Sequence, residues 1–292
     1  MNILVSGATG FIGRRLSSRL RTLGHRVFGL SLKGPLDSAR GFEDYYQQDL
    51  AKPFSLKTSF DFVIHLAAYN ITNVGAKDTD LYTTVNVEGT KNLLQAVDTQ
   101  KFIFLSTAKV YKNEGLPLTE ESALSPQGAY EQSKLKAEEV CRAFLKKESL
   151  VILRSVNVMG WGQSPKAVLP VFFQKAKANQ ALDIIHFADT LMQFVYVEDL
   201  VDAIEALISH ETLSGVFNIA HEEPVSLERL ARAIITMSNS SSKLNISKSS
   251  SKVLFSPVVC DKAYKQLGWK AKTGLTQILT LYEKEYALHV CK

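Results

Sequence analysis

Gly7-Ala8-Thr9-Gly10-Phe11-Ile12-Gly13 follows the apolar run Ile3–Val5 and precedes a helix-compatible run that starts at Arg14. Glycines at such a place allow a tight turn and let the backbone approach a pyrophosphate, whose charge is met by free N–H groups at the helix start. The spacing alone is weak, but its position between the first strand and the first helix favours a dinucleotide-binding turn. The predicted cofactor contacts there are Gly7, Thr9, Gly10, Phe11, Ile12, Gly13 and Arg14.

Short apolar runs recur through the first half of the chain, separated by stretches of helical length. They are Ile3–Val5, Val27–Leu30, Phe62–His65, Phe102–Leu105 and Val151–Leu153. This alternation is typical of βαβ units on a parallel sheet with helices on both faces. It predicts an α/β fold with a Rossmann-like doubly wound parallel sheet over residues 1–160, including the helix of Tyr130 and Lys134.

After about Gly160 the pattern changes to longer helix-like segments joined by short strands. The helix-like segments are Leu169–Asn179, Asp199–Ser209 and Leu227–Met237, and Val216–Ile219 is one of the strands. We expect a smaller C-terminal α/β substrate lobe over residues 161–292, with some segments returning to the sheet. The serine-rich stretch Ser238–Lys252 predicts a loose surface connection.

Composition excludes several classes of protein. The net charge of +5 comes from 34 basic and 29 acidic residues spread along the chain, without the dense basic block of a nucleic-acid-binding surface. Three distant cysteines without metal-type spacing indicate reduced thiols, a cytoplasmic setting and no metal site. No apolar stretch approaches the roughly 18–20 residues needed to cross a bilayer, and no signal-peptide pattern opens the chain, so no membrane partner is expected.

The end of the second strand bears on the choice of dinucleotide. An acidic residue there normally binds the ribose 2′-hydroxyl of NAD, but Ser31 occupies the position. Lys33 and Arg14 add positive charge, and no carboxylate is present to repel a 2′-phosphate. NADP(H) is therefore favoured over NAD(H), the alternative being that both cations are solvated surface charges.

Two further strand ends supply predicted cofactor contacts. Asp49, followed by Leu50, is placed to accept from an adenine amino group, although a plain loop carboxylate fits the pattern nearly as well. The segment Leu66-Ala67-Ala68 contains two small side chains, which would let its backbone pass close to a cofactor. His65 before them is either part of this site or a strand-end histidine satisfied by its neighbours.

Tyr130 and Lys134 are four residues apart, so they lie on one face of a predicted helix. A phenol has an ordinary pKa of about 10, and a neighbouring ammonium favours the phenolate and lowers that pKa. Tyr130 could then exchange a proton near neutral pH. Ser106 and Thr107 stand at the carboxyl end of the fifth strand, where ligands of open α/β sheets bind. Both are predicted substrate-binding residues, and one of their hydroxyls can hydrogen-bond the reacting oxygen as its charge changes.

These motifs, in this order, resemble the extended short-chain dehydrogenase/reductase family, the NAD(P)-dependent epimerase/dehydratase group that acts mainly on nucleotide sugars. The matching segments are Gly7–Gly13, Asp49-Leu50, His65–Ala68, Asn86–Thr90, Ser106–Tyr111, Tyr130 with Lys134, Arg154–Gly160, Phe194–Asp199 and Leu267–Trp269. The resemblance implies that Thr107 is the catalytic hydroxyl, that Tyr130 is the acid/base and that Lys134 also holds the nicotinamide ribose. It places Asn157 against the sugar nucleotide.

Departures from the family pattern narrow the reaction. Dehydratases of the family carry Asp-Glu directly after the catalytic threonine, whereas Ala108-Lys109 follow Thr107 here. The family's arginine that grips a nucleotide phosphate is replaced by Met192, beside Gln193. Lys166 or Arg154 is left to supply that charge, unless Lys166 is a solvated helix-start lysine and Arg154 a structural residue.

The sequence therefore favours a 4-keto reductase or 4-epimerase of a nucleotide sugar over a dehydratase. One alternative is a reductase of a smaller alcohol or ketone, and another is a non-catalytic dinucleotide-binding redox sensor. The family resemblance implies a homodimer through the helices predicted at Leu81–Ala96 and Ala129–Leu145, although their apolar stripes could equally face the sheet.

Overall fold

A central parallel sheet organises the chain. The computed structural model describes residues 1–34, 41–70, 79–185, 191–247 and 254–290. The sheet has seven strands in the spatial order β11-β6-β5-β4-β1-β2-β3. These strands are β1 (Asn2–Ser6), β2 (Arg26–Ser31), β3 (Asp44–Gln47), β4 (Ser59–His65), β5 (Asp98–Thr107), β6 (Leu150–Ser155) and β11 (Gly215–Ile219). The strand order reverses beside β1, and open α/β sheets bind ligands outside the carboxyl ends of their strands at such a point.

Helices cover both faces of the sheet. They are α1 (Phe11–Thr22), α2 (Thr79–Leu81), α3 (Gly89–Ala96), α4 (Ala129–Phe144), α5 (Val168–Lys177), α6 (Val197–Ser209), α7 (Leu227–Met237), α8 (Asp261–Leu267) and α9 (Leu275–Val290). A π-helix (Tyr82–Glu88) joins α2 to α3, and short 3₁₀ turns occur at Ala108–Val110 and Lys147–Ser149.

Alternation along the strands divides the core in two. Ile3 and Val5 point to the face covered by α1, α6 and α8, whereas Leu4 points to the face covered by α3 and α4. Successive strand side chains point to opposite faces, so a strand buried on both sides is apolar throughout. The doubly wound α/β fold predicted from the sequence is confirmed.

A third apolar cluster forms the C-terminal part of the molecule. It unites α5, α7 and α9 around Phe173, Ile234 and Leu279. Three small strand pairs accompany it: β7 (Asn157–Met159) with β10 (Phe194–Tyr196), β8 (Leu182–Ile185) with β13 (Leu244–Ser247), and β9 (Leu191–Met192) with β12 (Val225–Ser226).

Two segments of the second half differ from the simplest expectation. The strand predicted at Val216–Ile219 belongs to the central sheet, where it pairs with β6. Part of the serine-rich stretch is not a loose connection, because Leu244–Ser247 pairs in parallel with β8, which satisfies its backbone groups. The rest of that stretch from residue 248 to 252 lies outside the described residues.

Asp199 fastens the C-terminal segments to the sheet side of the molecule. Its backbone oxygen accepts a hydrogen bond from the Trp269 indole at 2.8 Å. Its carboxylate accepts from the Thr273 backbone N–H at 2.9 Å and from the Thr273 hydroxyl at 3.1 Å. The start of α6 is thereby tied to the chain that leads into α9. No helix among the described residues is long and apolar enough to span a bilayer.

Candidate active site

The glycine turn is as tight as the sequence indicates. Gly7 adopts φ +73°, and a Cβ added there would lie 2.9 Å from the Ala67 backbone nitrogen. A Cβ on Gly13 would lie 2.1 Å from the Gly7 carbonyl oxygen. Gly10 precedes α1 and has no side chain to cap its first N–H groups, which leaves them for an anion. The turn therefore fits the pyrophosphate of a dinucleotide.

Gly13→Ala is expected to raise the dissociation constant of the dinucleotide by about 10- to 100-fold, because relieving such overpacking costs about 1–3 kcal/mol and must move the turn. Isothermal titration calorimetry measures the effect. Gly24→Ala is the matched control, since Gly24 has φ +82° but open space around its Cα. It should lower stability without changing affinity, and an equal loss of affinity in both variants would contradict the prediction.

The predicted contacts around β2 lie in two places. The Ser31 hydroxyl accepts a hydrogen bond from the Thr9 backbone N–H at 3.2 Å, so the end of β2 adjoins the glycine turn. Lys33 is exposed two residues further on. Arg14 is also exposed, and its guanidinium contacts Gly162 in the segment after β7. Of the two predicted cations, Lys33 therefore lies next to the end of β2, whereas the Arg14 guanidinium lies beside Gly162.

The other predicted cofactor contacts lie at neighbouring strand ends. Asp49 closes its own turn, its carboxylate accepting from the Ala51 backbone N–H at 3.0 Å. Leu50 is buried below it. The segment Leu66–Ala68 crosses the glycine turn, where the Ala67 backbone N–H donates to the Ser6 hydroxyl at 3.3 Å.

His65 is a satisfied strand-end histidine, which confirms one of the two alternatives. Its ring nitrogens are 2.6 Å from the Ser6 hydroxyl and 2.9 Å from the Thr90 hydroxyl. Burial and then the charge of Lys134 lower the pKa of His65 to about 3, so the ring is neutral at physiological pH.

Tyr130 and Lys134 occupy successive turns of α4, which begins after Gly128. Lys134 is 2% exposed, and its Nζ lies 4.0 Å from the centroid of the Phe104 ring on β5. Burial lowers the pKa of Lys134 to about 8. Tyr130 is half-buried, and its ring packs against Tyr82 with the centroids 6.1 Å apart. Lys134 thus lies in a dehydrated place beside β5, and Tyr130 packs against the Tyr82 ring.

The expected pKa of Tyr130 is corrected by the structure. Burial, followed by the negative charge of Glu131 and the nearby Tyr82, raises the pKa of Tyr130 above its ordinary value. The sequence argument predicted a lower pKa from Lys134, and that prediction is wrong for this structure. All three of these causes raise the pKa, and the Lys134 ammonium lies over the Phe104 ring.

The two hydroxyls at the end of β5 have different partners. Thr107 is 7% exposed and starts the 3₁₀ turn Ala108–Val110, its hydroxyl accepting from the Lys109 backbone N–H at 3.3 Å. Ser106 instead donates to the Glu138 carboxylate at 2.6 Å. This bond uses the proton of Ser106 inside the protein, so Thr107 is the hydroxyl left for a ligand.

Comparison with known proteins identifies the family. The model of the NAD dependent epimerase/dehydratase family matches residues 3–220, which include the glycine turn, β5 and α4. The chain belongs to this family. It is thus an NAD-dependent enzyme of the extended short-chain dehydrogenase/reductase type, within a family of nucleotide-sugar epimerases, dehydratases and reductases.

Individual relatives span these reactions. The dTDP-4-dehydro-6-deoxyglucose reductase of Escherichia coli is 27% identical over 259 residues, which cover 80% of either chain. The dTDP-D-glucose 4,6-dehydratase of Dictyostelium discoideum is 26% identical over 268 residues, which are 81% of this chain but only 62% of that protein. The structure of UDP-glucuronic acid 4-epimerase from Bacillus cereus with UDP-glucuronic acid and NAD is 25% identical, covers 97% of this chain and 98% of that one, and has a TM-score of 0.85.

The two residues after Thr107, which the sequence analysis compared with the Asp-Glu pair of dehydratases, have the following surroundings in this member of the epimerase/dehydratase family. Ala108 is buried, and Lys109 is half-exposed with its Nζ 3.8 Å from a Glu131 carboxylate oxygen. Neither side chain is a carboxylic acid.

The predicted substrate side of the site is less enclosed. Asn157 starts β7 beside Phe194 and is exposed, as is Lys166. Met192 is half-buried in β9. Gln193 is buried: its amide donates to the His221 and Val258 carbonyls at 3.0 and 3.2 Å, and it accepts from the Val258 N–H at 2.6 Å. Gln193 therefore joins three chain segments and is not free to bind a phosphate.

Sequence reasoning missed a buried ion pair below the site. Arg154 donates to both Glu138 oxygens at 3.1 and 2.7 Å, and both residues are almost fully buried. Burial alone would raise the pKa of Glu138, but the hydrogen bonds and charge of Arg154 lower it overall. Arg154 is thus structural, and Lys166 is the remaining candidate for the missing charge. No local spacing signals this pair, because Glu138 lies on α4 and Arg154 on β6.

Proposed function

We propose that the protein transfers hydride at C4 of a nucleotide-linked sugar, as a 4-keto reductase or a 4-epimerase and not as a dehydratase. The observation that carries this proposal is the packing of α4, the helix of Tyr130, against β5: buried Lys134 lies over Phe104, three residues before Thr107 at the end of that strand. The glycine turn at the adjacent β1 end provides the dinucleotide site.

Each side chain has a role in this proposal. The bound dinucleotide supplies or accepts hydride at nicotinamide C4. Tyr130 gives a proton to the sugar oxygen during reduction, and its raised pKa keeps it protonated at neutral pH, as an acid must be. Thr107 hydrogen-bonds the same oxygen as its charge changes. Lys134 adds a positive charge in a space from which water is largely excluded.

The residues after Thr107 argue against dehydration. That reaction must remove a carbon-bound proton and protonate a departing hydroxyl, which the family does with Asp-Glu. A buried methyl group and an ammonium paired with Glu131 stand at these positions. Neither Ala108 nor Lys109 provides a carboxylate for that work.

A thermal shift panel with UDP-, GDP-, CDP- and dTDP-sugars tests the proposal, because a ligand stabilises the folded state by about RT ln(1 + [L]/Kd). The sugars that raise Tm are then assayed for turnover. A tightly retained, oxidised dinucleotide in the purified protein would favour epimerisation, and free exchange with net consumption would favour reduction. The absence of any response to the four nucleotide classes would count against a nucleotide-sugar substrate.

Hydride transfer to a smaller alcohol or ketone is the second candidate. Met192 stands where the family has a phosphate-binding arginine, and Gln193 is committed to backbone contacts. The same panel separates the candidates, since a small ketone would be reduced without any stabilisation by nucleotide sugars.

We also infer a preference for NADP(H) over NAD(H), supported by a neutral Ser31 beside the glycine turn and by the exposed Lys33. Ser31→Asp is expected to weaken NADP(H) binding by about 10-fold or more through charge repulsion, while NAD(H) binding is kept. Fluorescence titration of both reduced cofactors measures this. Ser31→Asn, a neutral change of equal size, should leave the ratio of the two affinities unchanged. A wild-type protein that prefers NAD(H) would refute the inference.

A homodimer and a cytoplasmic setting complete the proposal. Leu81 and Phe144, at the ends of the helices expected to form the dimer contact, are 39% and 44% exposed. Analytical ultracentrifugation tests the dimer.

A further inference from the structure

The π-helix Tyr82–Glu88 packs directly on α4 and has no part in the function proposed so far. A π-helix carries more residues per turn than an α-helix, and such segments are rare and frequent at functional sites. Three of its side chains are buried, and the two polar ones among them, Tyr82 and Asn86, are 5% and 1% exposed. Their contacts explain what the segment does.

Tyr82 stands between two other tyrosines. On one side its ring centroid is 6.1 Å from that of Tyr130, with 58° between the ring planes. On the other side it is 5.2 Å from that of Tyr69, in an edge-to-face contact. Aromatic pairs at such distances and angles have a preferred geometry and resist rotation of either ring. One ring of the Tyr130 environment is therefore supplied by the π-helix.

Asn86 holds the same two neighbours through hydrogen bonds. Its amide accepts from the Tyr69 N–H at 2.7 Å and donates to the Tyr69 carbonyl at 3.0 Å. It also donates to the Ser133 hydroxyl at 2.9 Å, and Ser133 in turn donates to the Tyr130 carbonyl at 2.7 Å. The π-helix thus fixes both the segment after β4 and the first turn of α4.

We propose that Tyr82 is a positioning residue for the Tyr130 phenol: its ring fixes the orientation of that phenol and excludes water from one side of it. Asn86 and Ser133 hold the backbone of Tyr130 in place through hydrogen bonds, and the Tyr82 ring holds the Tyr130 side chain. This inference rests on the proposed role of Tyr130 in proton transfer.

Other charged groups near the phenol are accounted for. Glu131 and Lys134 lie on α4 beside Tyr130, and Lys109 on the 3₁₀ turn pairs with Glu131. None of them is altered when Tyr82 is replaced. Burial is the largest cause of the raised pKa of Tyr130, so opening the Tyr82 side to water should bring that pKa down toward its ordinary value.

The decisive measurement follows Tyr130 ionisation directly in the full chain stripped of nucleotide. Protein labelled with ¹³Cζ-tyrosine is titrated to about pH 11 by NMR, near the ordinary phenol pKa. The Tyr130 signal is the one missing from Tyr130→Phe. In Tyr82→Leu the Tyr130 signal should begin to ionise at clearly lower pH than in the parent protein. Tyr82→Phe keeps the ring and removes only the Tyr82 hydroxyl, the smallest of the three causes of the raised pKa, so it should shift the titration much less.

Phe60→Leu is the matched control for simple loss of an aromatic ring. Phe60 is 2% exposed and packs edge-on against Phe28 in the α3 and α4 core, with the ring centroids 5.3 Å apart. Phe60→Leu should lower Tm without changing the pH at which Tyr130 ionises. If both leucine variants shift the titration alike, or if neither does, the inference is overturned. Tyr82→Met serves in the same comparison if Tyr82→Leu does not fold.

Turnover gives a second measurement once the panel has identified a sugar nucleotide. Tyr82→Leu should lower kcat by about 10- to 100-fold with little change in KM, since small misplacement of a reacting group costs rate and not binding. Tyr82→Phe should restore most of kcat. An unchanged kcat in Tyr82→Leu would refute the positioning role. The titration needs no sugar and no dinucleotide, so a failed substrate proposal and a failed role for Tyr82 give different results.

Discussion

Tyr130→Phe is expected to lower kcat by about 10²- to 10⁴-fold, the range that a positioned general acid or base contributes. Phenylalanine keeps the ring contact with Tyr82 and removes only the hydroxyl proton that we propose is given to the sugar oxygen. The measurement is steady-state turnover with the sugar nucleotide that the thermal shift panel identifies. KM and the ligand-induced rise in Tm should change little.

Tyr264→Phe provides the control for this substitution, because Tyr264 is 62% exposed on α8, away from the glycine turn and α4. It should leave kcat unchanged. Full biological activity in Tyr130→Phe would favour the second alternative of the sequence analysis, a dinucleotide-binding redox sensor that acts without catalysis.

Glu138→Ala is expected to lower the free energy of unfolding by about 3–5 kcal/mol, because it leaves Arg154 buried without its counter-ion. Arg154 is 2% exposed and donates both of its bonds in this pair to the Glu138 carboxylate. Urea unfolding followed by circular dichroism measures the loss. Glu139→Ala removes an exposed neighbour on the same helix and should change the stability by less than about 0.5 kcal/mol.

The pH dependence of stability gives an independent check. The pKa of Glu138 is lower in the folded protein than in the unfolded chain. Its contribution is therefore present above the unfolded pKa of about 4.3 and is lost as the pH falls through the folded pKa. Wild-type protein should lose more stability on acidification through this range than Glu138→Ala does. Equal acid sensitivity of the two proteins would contradict the role of the pair.

Local patterns made much of the site predictable. The glycine turn, the β5 end and the Tyr130–Lys134 spacing each lie within a few consecutive residues, so strand and helix periodicity alone places them. The parallel sheet followed in the same way from alternating apolar runs.

Contacts between distant segments were not predictable in that way. The partners of Ser106 and Arg154 lie on α4, and the wall beside Tyr130 comes from a π-helix more than forty residues earlier in the chain. The direction of the Tyr130 pKa shift depends on how completely these segments exclude water. Spacing placed Lys134 on the same helix face as Tyr130, but it could not show that burial raises the pKa of the phenol.

Strand β11 is synthesised long after its neighbour β6, which affects folding during translation. Its partner β6 ends at Ser155, whereas β11 starts at Gly215, so β6 is synthesised well before the strand that covers it. Until then β6 offers a row of unpaired backbone groups that another nascent chain could pair with. A polypeptide that stops near residue 160 would retain this open edge permanently, and self-association would compete with its folding.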